Sequence, residues 1–313
     1  LPLKRAPNAV VCLLPIIAGF VGADTTAAIL ATRLHESDET RCLVDIGTNG
    51  EVVMGSKTGL MACSAPAGPA LEGGQIDHGM RAAVGAIEKV RVDDDIHLGV
   101  IGDAQPIGIC GSGLIDIVAN LLAAGMIDGT GRLRDKDIDE LPEKLRDRLT
   151  RDGRVRSLIL ASSAESGNGE EISLSQVDIR QLQLAKAAIY AGIVMLQTVM
   201  EVPDEKLHEL HVCGGFGNYI NMESAVKIRL VPDLPLERIS YVGNAALMGA
   251  QIALLSEPER ASTDEIVQSV EHVALATHPA FQEIFVEACN LVDIDLTEAR
   301  KKSRRVTAAS TAA

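Results

Sequence analysis

The sequence predicts an α/β fold in which a mixed sheet carries helices on both faces. The 313 residues are 47% hydrophobic and 23% charged, a composition that can bury a full core. Only 2% of the residues are aromatic and none is Trp, so the core must be built from Ala, Val, Ile and Leu, as in sheets covered on both faces. Strands alternate with long helices along the chain, which is the pattern of a layered α/β protein.

The first part of the chain predicts a helix followed by an antiparallel meander. Residues 8–34 indicate a short buried strand and turn, and then an amphipathic helix from about Asp24. The apolar segment 42–46 predicts a buried strand, and two further strands are expected at 51–55 and 59–63. A polar, Gly-rich turn therefore joins the first two strands.

The rest of the chain continues this alternation. A Gly- and Pro-rich loop at 64–79 is followed by a polar β segment at 84–103, and residues 107–113 then lead into a helix that runs to about 124. The remaining elements are a charged exposed helix at 135–151, a long apolar-faced helix at 178–200, a strand at 207–213, a short helix at 221–228 and a helix at 244–255. Residues 257–313 predict a helical, partly loose appendage.

Charge and cysteine content restrict the possible functions. A formal net charge of −14 and a pI near 5.0 oppose binding to a phosphate backbone, and the aromatic residues needed to stack on single strands are missing. The basic tail at 300–305 is expected to be a solvated end. The six cysteines include no close pair, which argues against a zinc or iron-sulfur site made by this chain alone and fits reduced thiols in a cytoplasmic protein.

The basic start and apolar run from Lys4 to Gly22 require a signal peptide to be considered. Pro15 and Gly19 interrupt this run, and residue 1 is Leu instead of Met. We therefore expect the cut edge of a longer polypeptide, with no membrane partner.

The turn after the first strand is the strongest single motif. Gly47 and Gly50 let the backbone turn tightly with its amides in one concavity, and Thr48 and Asn49 add side-chain donors, which suits phosphate oxygens. Asp45, at the end of the strand, could hold Mg²⁺ through water. An ordinary hairpin with an Asn-Gly turn is the alternative.

Two further Gly-rich segments lead from strands into helices. After the strand at 207–213, Gly214, Gly215, Gly217 and Asn218 would permit close approach of a purine and a sugar, and free helix amides favour a nearby anion. In the segment 108–113, Gly111 and Ser112 could meet phosphate, or the glycines could simply allow tight packing.

The order of these motifs resembles the superfamily of actin, sugar kinases and chaperone ATPases. Asp45 to Glu51 resembles its second phosphate motif, and Cys213 to Asn218 resembles its adenosine motif. The resemblance implies an actin-like, ribonuclease H-like ATPase lobe that binds ATP and Mg. It also implies that Gln183 and Lys186 touch the nucleotide, and that Asp24 is a candidate for the catalytic base.

Within this superfamily, the sequence is similar to the C-terminal domain of the reductive activators of corrinoid proteins over about residues 8–290. The matching segments are Gly19 to Thr25, Asp45 to Glu51, Cys63 to Gly73, Gly108 to Asp116 and Gln183 to Ala187. In that family a [2Fe-2S] domain supplies a low-potential electron, and the actin-like domain uses ATP to drive reduction of cobalt. The resemblance implies a corrinoid protein as partner and a possible homodimer.

The same resemblance predicts three regions. Residues 1–41 would end a first actin-like lobe with its crossover helix, residues 42–256 would form the second, nucleotide-binding lobe, and residues 257–313 would be the appendage. Ser64, at the start of the Gly- and Pro-rich loop, is predicted to face the corrinoid protein.

Two departures from the family pattern bear on activity. No first phosphate motif lies upstream of Asp24, and no cluster-binding cysteines are present. We therefore expect this chain alone to be inactive in reduction and weak in ATP binding. The alternatives are a small-molecule kinase with Asp24 as base, a non-catalytic actin-like scaffold, and an activator of 2-hydroxyacyl-CoA dehydratases, for which intersubunit cluster cysteines are lacking.

Overall fold

A computed structural model of the protein describes residues 8–134, 138–215, 220–292 and 294–297. The helices are α1 (Ala23–Thr32), α2 (Gly111–Ala123), α3 (Glu143–Asp147), α4 (Gln176–Val199), α5 (Met222–Lys227), α6 (Ala245–Leu255), α7 (Glu257–Ser269) and α8 (Phe281–Ala288). The strands are β1 (Arg41–Ile46), β2 (Gly50–Ser56), β3 (Gly59–Ala65), β4 (Ala86–Val92), β5 (Ile96–Val100), β6 (Gly108–Ile109), β7 (Leu149–Asp152), β8 (Val155–Ala161), β9 (Ile172–Ser175), β10 (Glu209–Cys213), β11 (Ile239–Tyr241) and β12 (Val270–His272).

A six-stranded mixed sheet forms the centre of the protein. Its strand order is β11-β10-β1-β2-β3-β12. Strands β1, β2 and β3 form the predicted antiparallel meander. Strand β10 pairs with β1 in parallel, and β11 pairs with β10 in parallel. The carboxyl ends of β1, β10 and β11 therefore meet at one edge of the sheet, where ligands of such folds commonly bind.

Helices cover both faces of this sheet, as predicted. On one face α4 packs closely, because Gly192 brings its backbone beside Val52 and Cys63. On the other face α1 and α6 bury a second apolar cluster. These two helices cross at Gly249, where an added Cβ would lie 1.8 Å from the carbonyl oxygen of Ala27.

Two small sheets lie in the long segment between β3 and α4. Their orders are β5-β4-β6 and β7-β8-β9. The prediction of one helix over 135–151 is wrong in the described part, because regular helix is confined to Glu143–Asp147 and Leu149–Asp152 pairs with β8. Residues 135–137 lie outside the described range. The end of the predicted helix is a strand because the two-residue turn at Gly153 and Arg154 joins β7 to β8, and the φ of +57° at Gly153 suits a tight hairpin.

Residues 257–292 are closely packed against the rest of the protein. The strand β12 extends the central sheet by pairing with β3 in parallel, and α8 lies against α4. Ala280, Ile284, Ala288 and Leu291 are fully buried. The predicted appendage thus contains an edge strand and core residues, whereas residues 298–313 are outside the described range.

The helix α4 is long and apolar enough to suit a membrane span by composition. However, 89% of its apolar 18-residue window is buried inside the protein. This burial is the pattern of a core helix.

Candidate functional site

A row of polar side chains crosses four neighbouring strands near the carboxyl end of β1. Pairing places Asp45 of β1 opposite Cys213 of β10 and Glu51 of β2, and places Glu51 opposite Ser64 of β3. The Ser64 hydroxyl donates to a Glu51 carboxylate oxygen at 3.1 Å. Since directly opposite residues share a face of the sheet, the four side chains form one continuous polar row.

The carboxylates of this row lie in an unfavourable electrostatic environment. Burial raises the pKa of Asp45, and the nearby Asp24 carboxylate raises it further, while a hydrogen bond with Cys213 lowers it. Burial also raises the pKa of Glu51, with smaller contributions from Asp45 and Asp24. Bringing a cation to this position would relieve that repulsion.

Asp24 lies in the first turn of α1 and is exposed to solvent. The N-cap position belongs to Gly22, so Asp24 is not the N-cap of this helix. One oxygen of its carboxylate accepts a hydrogen bond from the Thr25 amide at 2.9 Å. The Asp24 carboxylate is near enough to Asp45 to raise the pKa of that residue.

The turn between β1 and β2 is tied to the loop that follows β3. The Gly47 amide donates to the Asn49 carbonyl at 3.0 Å, which closes the turn. The Thr48 hydroxyl donates to the carboxylate of Glu72, and the Thr48 carbonyl accepts from the Gly68 amide at 2.8 Å. Thr48 and Asn49 are exposed at the tip of the turn, where they can meet a ligand.

Gly50 has a different role from its neighbours in the turn. An added Cβ there would lie 2.7 Å from Ile189 of α4, and the residue is buried. Because Gly50 has no side chain, the hairpin can pack closely against α4.

The end of β10 forms a second turn against β1. Gly214 has a φ of +105°, and an added Cβ would lie 2.5 Å from the Ile46 carbonyl oxygen and 2.7 Å from an Asp45 carboxylate oxygen. The Tyr241 hydroxyl donates to the Gly214 carbonyl at 3.0 Å, and the Gly214 amide donates to the Gly243 carbonyl at 3.2 Å. Only glycine fits this position without strain.

The next residue, Gly215, is open to solvent. An added Cβ would meet no atom within 4 Å. The predicted adenosine contacts Gly217 and Asn218 lie outside the described residues.

A cavity of about 360 Å³ lies between the turn at Gly215 and the start of α2. It is lined by Glu72, Met80, Arg81, Ala82, Cys110, Gly111, Ser112 and Gly215. Gly111 lets the start of α2 approach the preceding loop, since an added Cβ would lie 1.8 Å from the Leu71 carbonyl oxygen. Two Gly-rich motifs that are far apart in the sequence thus line one concave region, and the turn at 47–50 is linked to it by the hydrogen bond from Thr48 to Glu72.

Gln183 and Lys186 are both buried and face the C-terminal segment of the chain. The Gln183 side-chain amide donates to the carbonyls of Thr130 and Cys289 at 2.9 and 2.7 Å, and the Lys186 ammonium donates to the carbonyl of Asn290. Burial lowers the pKa of Lys186 to about 7. Neither residue lines the cavity. Their predicted contact with nucleotide remains a prediction, which would require a rearrangement of these hydrogen bonds.

Ser64 belongs to β3 and not to the following loop. Its position opposite Glu51 could have been anticipated, because the two-residue turn at Lys57 and Thr58 sets the register of the hairpin. In the same way, the short turn after β1 sets Glu51 opposite Asp45. Sequence reasoning missed Arg81 entirely, since a single Arg in a loop has no distinguishing pattern.

The donor set fits a nucleotide with magnesium. Glycine turns, backbone amides and a concave volume suit the nucleotide, and the carboxylate row suits a hydrated cation. Within residues 8–134, 138–215, 220–292 and 294–297, no group of three or more His, Cys, Asp or Glu side chains could by itself hold a metal ion. Further ligands of a Mg²⁺ ion would therefore have to come from phosphate and water.

Known proteins are similar to this chain in sequence and in fold. A family model described as the C-terminal domain of RACo, the ASKHA domain, matches residues 39–302, and a model of the RACo middle region matches residues 1–37. A solved structure titled reductive activator for corrinoid, iron-sulfur protein superposes with a TM-score of 0.82 at 40% identity, covering 90% of this chain and 44% of that one.

Two curated relatives extend the match. The corrinoid activation enzyme RamQ of Eubacterium limosum is 38% identical over 91% of this chain and 48% of the relative. The [Co(II) methylated amine-specific corrinoid protein] reductase of Methanosarcina barkeri is 26% identical over 90% of this chain and 52% of the relative. The chain spans about half the length of these relatives. The predicted resemblance is confirmed, and the chain belongs to the RACo C-terminal, ASKHA-domain family.

Proposed function

We propose that this chain binds ATP with Mg²⁺ and is the nucleotide-dependent part of a reductive activator of a corrinoid protein. The observation that supports this proposal is that two separate glycine motifs, at Gly111 and Gly215, line one cavity, and that its lining residue Glu72 accepts a hydrogen bond from Thr48 of the third motif. In the proposed arrangement the amides of Thr48 and Asn49, at the exposed tip of the turn, and those at the start of α2 hold phosphate. Gly214 and Gly215, with Gly217 and Asn218, hold adenosine, and Asp45 holds Mg²⁺ through water.

The reductive activity is proposed for a longer polypeptide that contains this chain. The relatives are named as a corrinoid activation enzyme and a corrinoid protein reductase, and both are about twice the length of the matched region. Among the described residues no group of three or more His, Cys, Asp or Glu side chains could hold a metal ion, and Cys42, Cys63, Cys110 and Cys213 are free and buried. A [2Fe-2S] cluster would therefore be supplied by sequence outside this chain, and ATP binding would drive the electron to cobalt.

Gly215 provides a clean test of nucleotide binding. Because its Cβ direction is open, Gly215→Leu should fold normally but block the adenosine position by steric overlap. Calorimetry should show ATP binding to the wild-type chain and to Gly215→Ala, with at least a tenfold loss in Gly215→Leu. Equal affinity in all three proteins would contradict the adenosine assignment.

A chimera tests the reductive function. The matching half of the Eubacterium limosum relative would be replaced by this chain, and reduction of Co(II) in its corrinoid protein would be followed by absorbance. We expect reduction that depends on ATP and is lost with Gly215→Leu. Reduction that proceeds equally without ATP would argue against the proposal.

Asp24 is proposed to orient the attacking water. Its carboxylate is near enough to Asp45, the proposed magnesium-binding residue, to raise the pKa of Asp45, and general-base action contributes typically 10²–10⁴-fold to a rate. Asp24→Asn keeps the hydrogen bond to the Thr25 amide and removes the base. Unchanged ATP hydrolysis in this variant would leave Asp24 with a structural role only.

The loop after β3 is proposed to face the corrinoid protein, with Ser64 as the hydroxyl that approaches cobalt. This loop is held by the sheet at one end and by the Asp77 amide, which donates to Asp178, at the other. Ser64 donates to Glu51, so nucleotide and magnesium near Glu51 could change its availability. A Ser64→Ala chimera that hydrolyses ATP and still binds and reduces its corrinoid partner normally would refute this role.

A further inference from the structure

Arg81 has a distinctive position at the proposed nucleotide site. Of the described residues that line the cavity, it alone carries a positive charge. It is exposed, and no carboxylate among the described residues forms an ion pair with it. We propose that Arg81 binds the phosphate chain of the nucleotide, an inference that rests on the proposed function and identifies the cation which that site requires.

The backbone that carries Arg81 is firmly held. The Met80 amide donates to the Ile109 carbonyl at 2.9 Å, and the Ile109 amide donates to the His78 carbonyl at 2.7 Å. This short parallel pairing places Arg81 just beyond the end of β6, next to the start of α2.

Gly73 and Gly108 both pack closely against Met80, the residue before Arg81. An added Cβ at Gly73 would lie 2.6 Å from the Met80 carbonyl oxygen, and one at Gly108 would lie 2.9 Å from the Met80 sulfur. The residue before Arg81 is thus confined by close backbone packing, so the guanidinium extends from a fixed base. A fixed base reduces the entropy lost when a side chain binds its ligand.

The charge of the site explains why such a cation is needed. Asp45 and Glu51 form part of the carboxylate row, and Glu72 lies at the cavity beside Thr48. A triphosphate would bring further negative charge to a region that already holds these carboxylates. Mg²⁺ can offset part of that charge, and the planar guanidinium of Arg81 can donate two parallel hydrogen bonds to phosphate oxygens.

The experiment measures binding of ATP, ADP and adenosine by calorimetry to the full chain and its variants. Arg81→Gln should weaken ATP and ADP about tenfold or more and leave adenosine unchanged, since only the phosphates would lose a charge-assisted contact. Arg81→Lys should retain part of the affinity because it keeps the charge. Arg91→Gln is the matched control, because Arg91 is exposed on β4 and pairs with Asp93.

The outcomes separate this inference from the proposed function. If the wild-type chain binds ATP and Arg81→Gln binds it equally well, the assignment of Arg81 is wrong while nucleotide binding stands. A loss of adenosine affinity as large as the loss for ATP would also overturn it. Because this chain alone is expected to bind ATP weakly, the titrations use nucleotide concentrations high enough to detect weak binding. If the wild-type chain binds no nucleotide even then, the proposed function itself fails.

Discussion

Two pairs of partly or fully buried carboxylates in this protein differ in what surrounds them. Asp178 accepts hydrogen bonds from the Ser175 amide and hydroxyl and from the Asp77 amide, and Asp116 accepts from the Val90 amide and the Ser224 hydroxyl. Asp45 and Glu51 instead lie near other carboxylates, and their pKa values are raised. The first pair holds elements of the fold together, whereas the second leaves capacity for a ligand.

The largest expected effect is on stability at Asp178. Its carboxylate forms a capping box with Ser175 at the start of α4 and also holds the loop at Asp77. Asp178→Ala should lower the free energy of unfolding by about 3 kcal/mol, because buried donors would lose their acceptor. Urea denaturation would measure this, with the exposed Asp94→Ala as a control that should change it by less than about 0.5 kcal/mol. Equal effects at both positions would refute the distinction.

The second prediction concerns the pH dependence of stability caused by Lys186. This buried ammonium donates to the Asn290 carbonyl, and no carboxylate is among its contacts described above. Burial lowers its pKa from 10.5 to about 7, so the unfolded chain binds more protons between these values. Stability should therefore rise with pH, by about 1.5 kcal/mol from about pH 7 to about pH 8.5.

The isosteric variant Lys186→Met isolates this contribution. It should remove most of the rise with pH, measured by urea denaturation at both pH values. Cys289 and Arg229 lie near enough to affect Lys186, and staying below about pH 9 limits thiol titration. A pH dependence that persists unchanged in the variant would assign it to other groups.

The carboxylate row should respond in the opposite sense to Asp178. Asp45→Asn should raise the free energy of unfolding by about 1 kcal/mol near neutral pH, because it removes a partly buried charge beside Asp24 and Glu51. The same substitution should weaken ATP binding in the presence of Mg²⁺. Since the raised pKa lets the folded state bind more protons, mild acid should stabilise the wild type more than the variant. A destabilised variant would place Asp45 among the structural carboxylates.

The smallest effect is expected at Tyr241, which holds the Gly214 turn from β11. Tyr241→Phe removes only the hydroxyl that donates to the Gly214 carbonyl. ATP affinity should fall about threefold, because the turn would be less well held while its packing persists. Calorimetry and thermal unfolding together would check this. A larger loss of stability than of affinity would show that the hydrogen bond serves the fold and not the site.

The sequence predicted four strands of the central sheet, β1, β2, β3 and β10, because they have strong hydrophobic patterns and short turns join the first three. The predicted strand at 42–46 and the helices at 178–200 and 244–255 agree with β1, α4 and α6 to within about two residues. The hairpin at Gly153 was mistaken for helix, since charged residues over 135–151 suit either structure. The short β12 has no local signal, because its place at the sheet edge depends on distant β3.

The candidate site was only partly predictable for a similar reason. Glycine motifs are visible in one dimension, and hairpin register sets Asp45, Glu51 and Ser64 side by side. The sequence does not show in which direction a long side chain points. Lys186 turns towards Asn290, and Arg81 reaches the cavity through a loop whose path is set by tertiary packing.

The close crossing of α1 and α6 at Gly249 has a mechanical consequence. Helices in such tight backbone contact at Ala27 have little freedom to slide independently, so we expect them to move as one rigid body. This rigid pair includes Asp24 at the start of α1. Its other helix, α6, starts beside Gly243, whose carbonyl accepts a hydrogen bond from the Gly214 amide. A shift of the Gly214 turn on nucleotide release would therefore reach Asp24 as a rigid-body tilt, withdrawing the carboxylate together with the turn.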